Sequence, residues 1–119
     1  MPALGYAQRV QDRASNVGFD WPSIDGVIEK VSEEATEFVN TEDVGQREAE
    51  FGDLLFSLVN LGRHWEIDVE AALRGANRKF VSRFQAMEVM ASKEGTSLAE
   101  LPLEKQDRLW DSAKEHERA

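Results

Sequence analysis

Cysteine is absent from this chain of 119 residues, which excludes disulfides, thiolate metal sites and cysteine nucleophiles together. Basic side chains are scarce, 14 against 23 acidic ones, for a formal charge of −9. That balance repels nucleic-acid backbones and anionic membranes, so no nucleic-acid partner is expected, and a phosphate ligand must be met by local positive charge or a metal ion. No run approaches the roughly 20 apolar residues a membrane span needs, and Met1-Pro2 opens no signal peptide. The expectation is a cytoplasmic protein with no membrane partner. What is present is a globular composition, 41% hydrophobic and 31% charged, at a length that predicts one domain over residues 1–119.

The chain is organised around residues 48–65. On a helix, Phe51, Leu54, Leu55, Phe56, Leu58, Val59, Leu61 and Trp65 spread around most of the circumference, the pattern of a helix buried in a bundle. Against them, Glu50, Asp53, Ser57, Asn60 and His64 recur at alternating spacings of three and four, which confines them to an arc of roughly 80°. Buried carboxylates one turn apart require a cation.

Apolar periodicity predicts further helices over 3–17, 24–40 and 68–91, with Gly18 ending the first, Ser23 or Asp25 capping the second and Asp68 capping the fourth. Phe19 and Trp21 fall in the loop before Pro22, as lids on the core or as a platform for a planar ligand. Glu34 and Glu37, beside Lys30 and Glu33, repeat the one-turn carboxylate spacing. The turn over 41–46 is short, so the second and third helices should be antiparallel, with Glu34 and Glu37 facing Glu50 and Asp53. Four carboxylates without a histidine suit Mg²⁺ or Mn²⁺.

On the fourth helix, Asn77, Lys79 and Arg83 lie beside the apolar face. Lys79 and Arg83 are either solvated surface in mild mutual repulsion, removable at little cost to stability, or the grip on an anion. After Gly95, Ser97 and Glu100 have capping-box spacing. A last amphipathic piece from Pro102 carries Trp110 and Lys114, an anchor for its helix or a ring and a cation for a nucleotide.

Glu34-Ala35-Thr36-Glu37 followed by Glu50-Phe51-Gly52-Asp53 closely resembles the E-x-x-E and E-x-x-D signature of the MazG nucleoside triphosphate pyrophosphohydrolases. The blocks 17–22, 58–64, 76–84 and 109–114 resemble that family's catalytic domain too, in order and at family spacing. Ala35 and Ala49 depart from its usual residues. Many members carry two such domains, and this chain has the length of one.

The resemblance implies an all-α bundle working as a homodimer or higher oligomer, with Mg²⁺ (or Mn²⁺) bound by Glu34, Glu37, Glu50 and Asp53. It further implies hydrolysis of nucleoside triphosphates to a monophosphate and pyrophosphate, in a house-cleaning or regulatory role. Glu33 or Glu34 is the expected base. The expected substrate contacts are Trp21, Lys30, Asp53, Asn60, Asn77, Lys79, Arg83, Trp110 and Lys114. Two readings compete: a related all-α enzyme specific for dUTP, dCTP or phosphoribosyl-ATP, and a non-catalytic helical module that binds metal for stability. A ferritin-like di-iron bundle is disfavoured, because neither His64 nor His116 follows a Glu by three residues.

Overall fold

A computed structural model describes residues 2–118. Five α-helices account for most of them: α1 (Ala3–Asn16), α2 (Ile24–Asn40), α3 (Val44–His64), α4 (Val69–Lys93) and α5 (Leu103–Arg118), with a 3₁₀ turn at Leu98–Glu100. There is no strand among the described residues, and the fold is all-α, as the periodicity predicts. No helix of the described residues is long and apolar enough to cross a membrane.

The helix ends follow from local chemistry. At the end of α1 the Phe19 N–H donates to the Ala14 carbonyl and the Gly18 N–H to Ser15, a pairing that requires left-handed backbone at Gly18, whose φ is +89°. The same paired bonds close α3 through Ile67 to Gly62 and Glu66 to Arg63. There the left-handed position is Glu66, at φ 57°. Asp43 accepts from the Gly45 N–H at 2.9 Å and Asp68 from the Ala71 N–H at 3.1 Å, so α3 and α4 each begin on an aspartate cap. Ser23 precedes α2 without a side-chain capping bond. The capping box expected at Ser97 does not form: Glu100 Oε2 instead accepts from Thr96 Oγ1 at 2.9 Å.

The chain divides into two compact units, one reaching to Ala72 and one starting at Leu73, so the division falls within α4. In the first unit α2 and α3 pack as an antiparallel hairpin, with the Phe38 and Phe51 rings 5.1 Å apart at its closed end. α1 packs against α3, and Gln8 clasps the turn after it by donating to the Ile67 carbonyl and accepting from the Val69 N–H. Val27 and Val59 form the apolar centre of this unit.

Helix α3 is buried along one side and not around most of its circumference. Ser57 and Asn60 of its polar line are 6% and 5% exposed, whereas Phe51, Leu55 and Leu58 are 45%, 40% and 45% exposed on the opposite stripe. Ser57 and Asn60 face inward because α1 and α2 both pack on α3, while Asp53 of the same line is exposed.

In the second unit Met87 and Ala91 of α4 and Ala113 of α5 are buried. Trp110 anchors α5, with its ring 5.5 Å from that of Phe80 and the Arg83 guanidinium 5.2 Å above it. Arg83 Nε also donates to both carboxylate oxygens of Glu117, at 3.1 and 3.0 Å. Its charge is therefore answered within the unit, by Glu117 and the Trp110 ring.

Candidate active site

The α2–α3 hairpin brings Glu34, Glu50 and Asp53 together, one oxygen from each within 4.8 Å of the others. Glu34 is buried and Glu50 half-buried, and Glu34 Oε2 and Glu50 Oε2 are buried without a hydrogen-bond partner. Buried charge without a partner is costly. An all-oxygen donor set with two uncommitted carboxylate oxygens fits a hard divalent cation. Glu37 stands one turn along α2 and is exposed, outside the close trio. It still feels the cluster, because the charge of Glu34, with smaller contributions from burial, Glu33 and Glu50, pushes its carboxyl above the usual range.

Lys30 is the cation beside this cluster. Its Nζ lies 2.8 Å from Glu34 Oε1 and 3.8 Å from Glu33 Oε1. The bond to Glu34 holds the ammonium above its ordinary pKa, so Lys30 is firmly charged. Glu33 is exposed on the next column of the helix.

Next to the carboxylates opens a cavity of about 400 Å³, a volume in the range of small-ligand sites. Ala14, Phe19, Trp21 and Phe56 give it apolar walls, Gln11, Ser57 and Asn60 line it with polar groups, and Lys30, Glu34 and Asp53 bring the charged cluster to it. Two aromatic walls, Phe19 and Trp21, come from the 18–22 loop. Gly26 makes room for one of them: a Cβ there would stand 2.8 Å from Trp21 Cδ1.

The loop is tied to α3 by Asp20. Its Oδ1 accepts from Arg63 Nη2 at 2.7 Å and from the Trp21 N–H at 2.8 Å, with His64 Nε2 at 2.9 Å. His64 Nε2 either donates to Asp20 or, as the other tautomer, accepts from Arg63 Nη2 at 3.2 Å. Arg63 also donates to Asn60 Oδ1 from Nε and Nη2, at 3.2 and 2.7 Å. The Arg63 bond, reinforced by the other donors, holds the Asp20 carboxyl far below the usual carboxylate range against the opposing effect of burial.

Of the residues expected to bind substrate, the first unit thus gathers Trp21, Lys30, Asp53 and Asn60 on one cavity. Asn77, Lys79, Arg83, Trp110 and Lys114 belong to the second unit, where Asn77 and Lys79 are exposed and Arg83 and Trp110 are engaged as described above. Sequence reasoning missed Gln11, Phe56, Gly26 and the Asp20–Arg63 pair as parts of the site. Asp20 and Arg63 each lay in a block of the resemblance, and that was the available signal; Gln11 carried none.

No family model matches the chain. It is 53% identical over 114 residues to a Thermotoga maritima protein named nucleoside triphosphate pyrophosphohydrolase/pyrophosphatase MazG, a match covering 96% of this chain and 45% of that protein. It is 39% identical over 122 residues to an Escherichia coli K12 protein named nucleoside triphosphate pyrophosphohydrolase, covering 98% of this chain and 46% of the relative. A shorter match, 51% identical over 70 residues, is to the Bacillus subtilis uncharacterized protein YabN. The chain spans about half the length of the first two relatives.

Proposed function

Over nearly its whole length the chain belongs to the MazG family, and on that premise we propose that it is a Mg²⁺-dependent hydrolase that converts ribo- or deoxyribonucleoside triphosphates to a monophosphate and pyrophosphate. The observation that carries this reading is the adjacency of two unlike subsites. An aromatic-walled cavity suited to a nucleobase opens onto a carboxylate cluster with two uncommitted buried oxygens.

Glu34, Glu37, Glu50 and Asp53 would hold the ion. Mg²⁺ or Mn²⁺ bound there supplies neutralisation of the triphosphate charge and Lewis acidity at the phosphates. Phe19, Trp21 and Phe56 would offer the faces of the base apolar contact. Lys30, charged beside the cluster, offers a direct donor to phosphate. The base that takes the proton of the attacking water is Glu33: Glu34 commits one oxygen to Lys30 and the other to the metal set, whereas Glu33 has only a 3.8 Å approach from Lys30. Water attacks the α-phosphorus, the α–β anhydride bond breaks, and pyrophosphate leaves with the electron pair. For the second unit, the resemblance alone supports Asn77, Lys79 and Arg83 toward phosphate and Trp110 with Lys114 toward the nucleoside.

A homodimer is part of the proposal. The exposed stripe of Phe51, Leu55 and Leu58 is apolar surface of the kind subunit contacts cover. A house-cleaning role in the cytoplasm follows from the activity and is proposed with it.

Pyrophosphate release from a panel of nucleoside triphosphates, with and without Mg²⁺, tests the activity. Glu37→Gln and Asp53→Asn keep shape and lose charge, so each should lower turnover by about a hundredfold or more while circular dichroism is unchanged. Near-normal turnover in both would sink the metal assignment.

A further inference from the structure

Gly26 stands in the first turn of α2 with helical backbone, a conformation any residue adopts, so no left-handed turn calls for glycine there. What it supplies is space. A Cβ at this position would meet Trp21 Cδ1 at 2.8 Å, with Cγ and Nε1 at 3.7 Å, so the five-membered ring of the indole rests on bare backbone. The backbone of the same residue is held from another helix. Asp20 Oδ1 accepts from the Trp21 N–H and from Arg63 Nη2 of α3, at 2.8 and 2.7 Å. Trp21 is thus fixed at its ring by α2 and at its main chain by way of α3, yet it is still 43% exposed and lines the cavity. A loop side chain held at both ends is ordered before any ligand arrives, which removes part of the entropy cost of binding.

We propose that Gly26 is a positioning residue for the nucleobase: by its lack of a side chain, and with Asp20 as the second anchor, it seats Trp21 as a preformed stacking wall. The inference rests on the hydrolase reading above and adds how the base half of the substrate is held. Stacking engages a π-face that every base has, so the wall contributes affinity with little reading of base edges, and it has no part in breaking the anhydride bond. Gly26 acts only through the place of the indole, which a methyl group would displace.

The test measures pyrophosphate release from ATP and from 1-deoxyribose 5-triphosphate, which keeps the sugar and triphosphate but has no base. In the unaltered chain kcat/KM should be about tenfold higher or more for ATP. In Gly26→Ala the KM for ATP should rise about fivefold or more with kcat within about twofold, while both constants for the base-free substrate stay unchanged. A merely structural role reads differently, since a smaller folded fraction lowers kcat for both substrates and leaves KM alone. Trp21→Ala should raise the ATP KM at least as far, and adding Gly26→Ala to it should change nothing more, because the ring through which Gly26 acts is gone. Should Gly26→Ala not fold, Asp20→Ala releases the loop from α3 instead and should likewise raise the KM for ATP alone. An unchanged ATP KM, an equal loss on both substrates, or a further rise in the double variant would overturn the positioning role. Equal kcat/KM for the two substrates in the unaltered chain would overturn the stacking wall itself. Pyrophosphate release from neither substrate would overturn the hydrolase reading, and the role of Gly26 with it.

Discussion

Replacing Asp20 by asparagine separates shape from charge at the tie between the aromatic loop and α3. The wild-type carboxylate oxygen receives the Trp21 N–H, the Arg63 guanidinium and the His64 edge, and Arg63 is only 10% exposed on its side chain. An amide oxygen can occupy the same position. It removes the negative charge that receives these bonds, a loss of about 1 kcal/mol each, and leaves the buried guanidinium with no carboxylate nearer than the 4.0 Å approach to Asp12. Two such bonds give about 2 kcal/mol, which for a chain of this size corresponds to roughly 8 °C in Tm. The sign with pH follows from the depressed carboxyl. Its stabilisation is fully present above the unfolded value near 3.8 and is lost as pH falls below it toward the lower folded value. Differential scanning calorimetry of Asp20→Asn and wild type should therefore show a gap at neutral pH that narrows below about pH 4. A gap under about 1 kcal/mol at neutral pH, or one that does not narrow in acid, would refute the reasoning.

Arg83→Ala should lower stability by about 1 to 2 kcal/mol, since it breaks the Glu117 pair and the stack on Trp110. If Arg83 also grips phosphate, kcat/KM falls by about ten- to a thousandfold, whereas Glu117→Ala, which breaks the same pair, costs stability alone; equal losses of turnover in both would assign Arg83 to structure. Glu66→Gly places glycine at a left-handed cap position and should stabilise by about 0.5 to 1 kcal/mol in chemical denaturation; a destabilised variant would mean that the glutamate side chain has a compensating contact. Light scattering should find at least a dimer at micromolar concentration and a monomer for Leu58→Lys, whose side chain lies on the exposed stripe of α3; an active wild-type monomer would contradict the proposed assembly.

The sequence by itself determined the helices, most of their boundaries and the carboxylate hairpin. These depend on short-range rules: periodic apolar residues, aspartate caps, the glycine that ends α1, and a connection too short for anything but an antiparallel return. Glu34, Glu50 and Asp53 were legible as a cluster because i, i+3 spacing on adjacent helices leaves few other arrangements. The expected hairpin already turned Glu50 and Asp53 toward α2; only the tertiary structure decided that Phe51, Leu55 and Leu58 on the opposite stripe stay exposed, because α1 and α2 are the helices that pack on α3. The same holds for Gln11 and for the Asp20–Arg63 tie, whose partners lie more than forty residues away. A hydrogen bond of that range leaves no local pattern, because neither residue's neighbours carry any record of what will be brought against it. Arg83 gives the converse case: one turn after Lys79 it reads as a repelled surface cation, and Glu117, supplied by a different helix, makes it half of an ion pair.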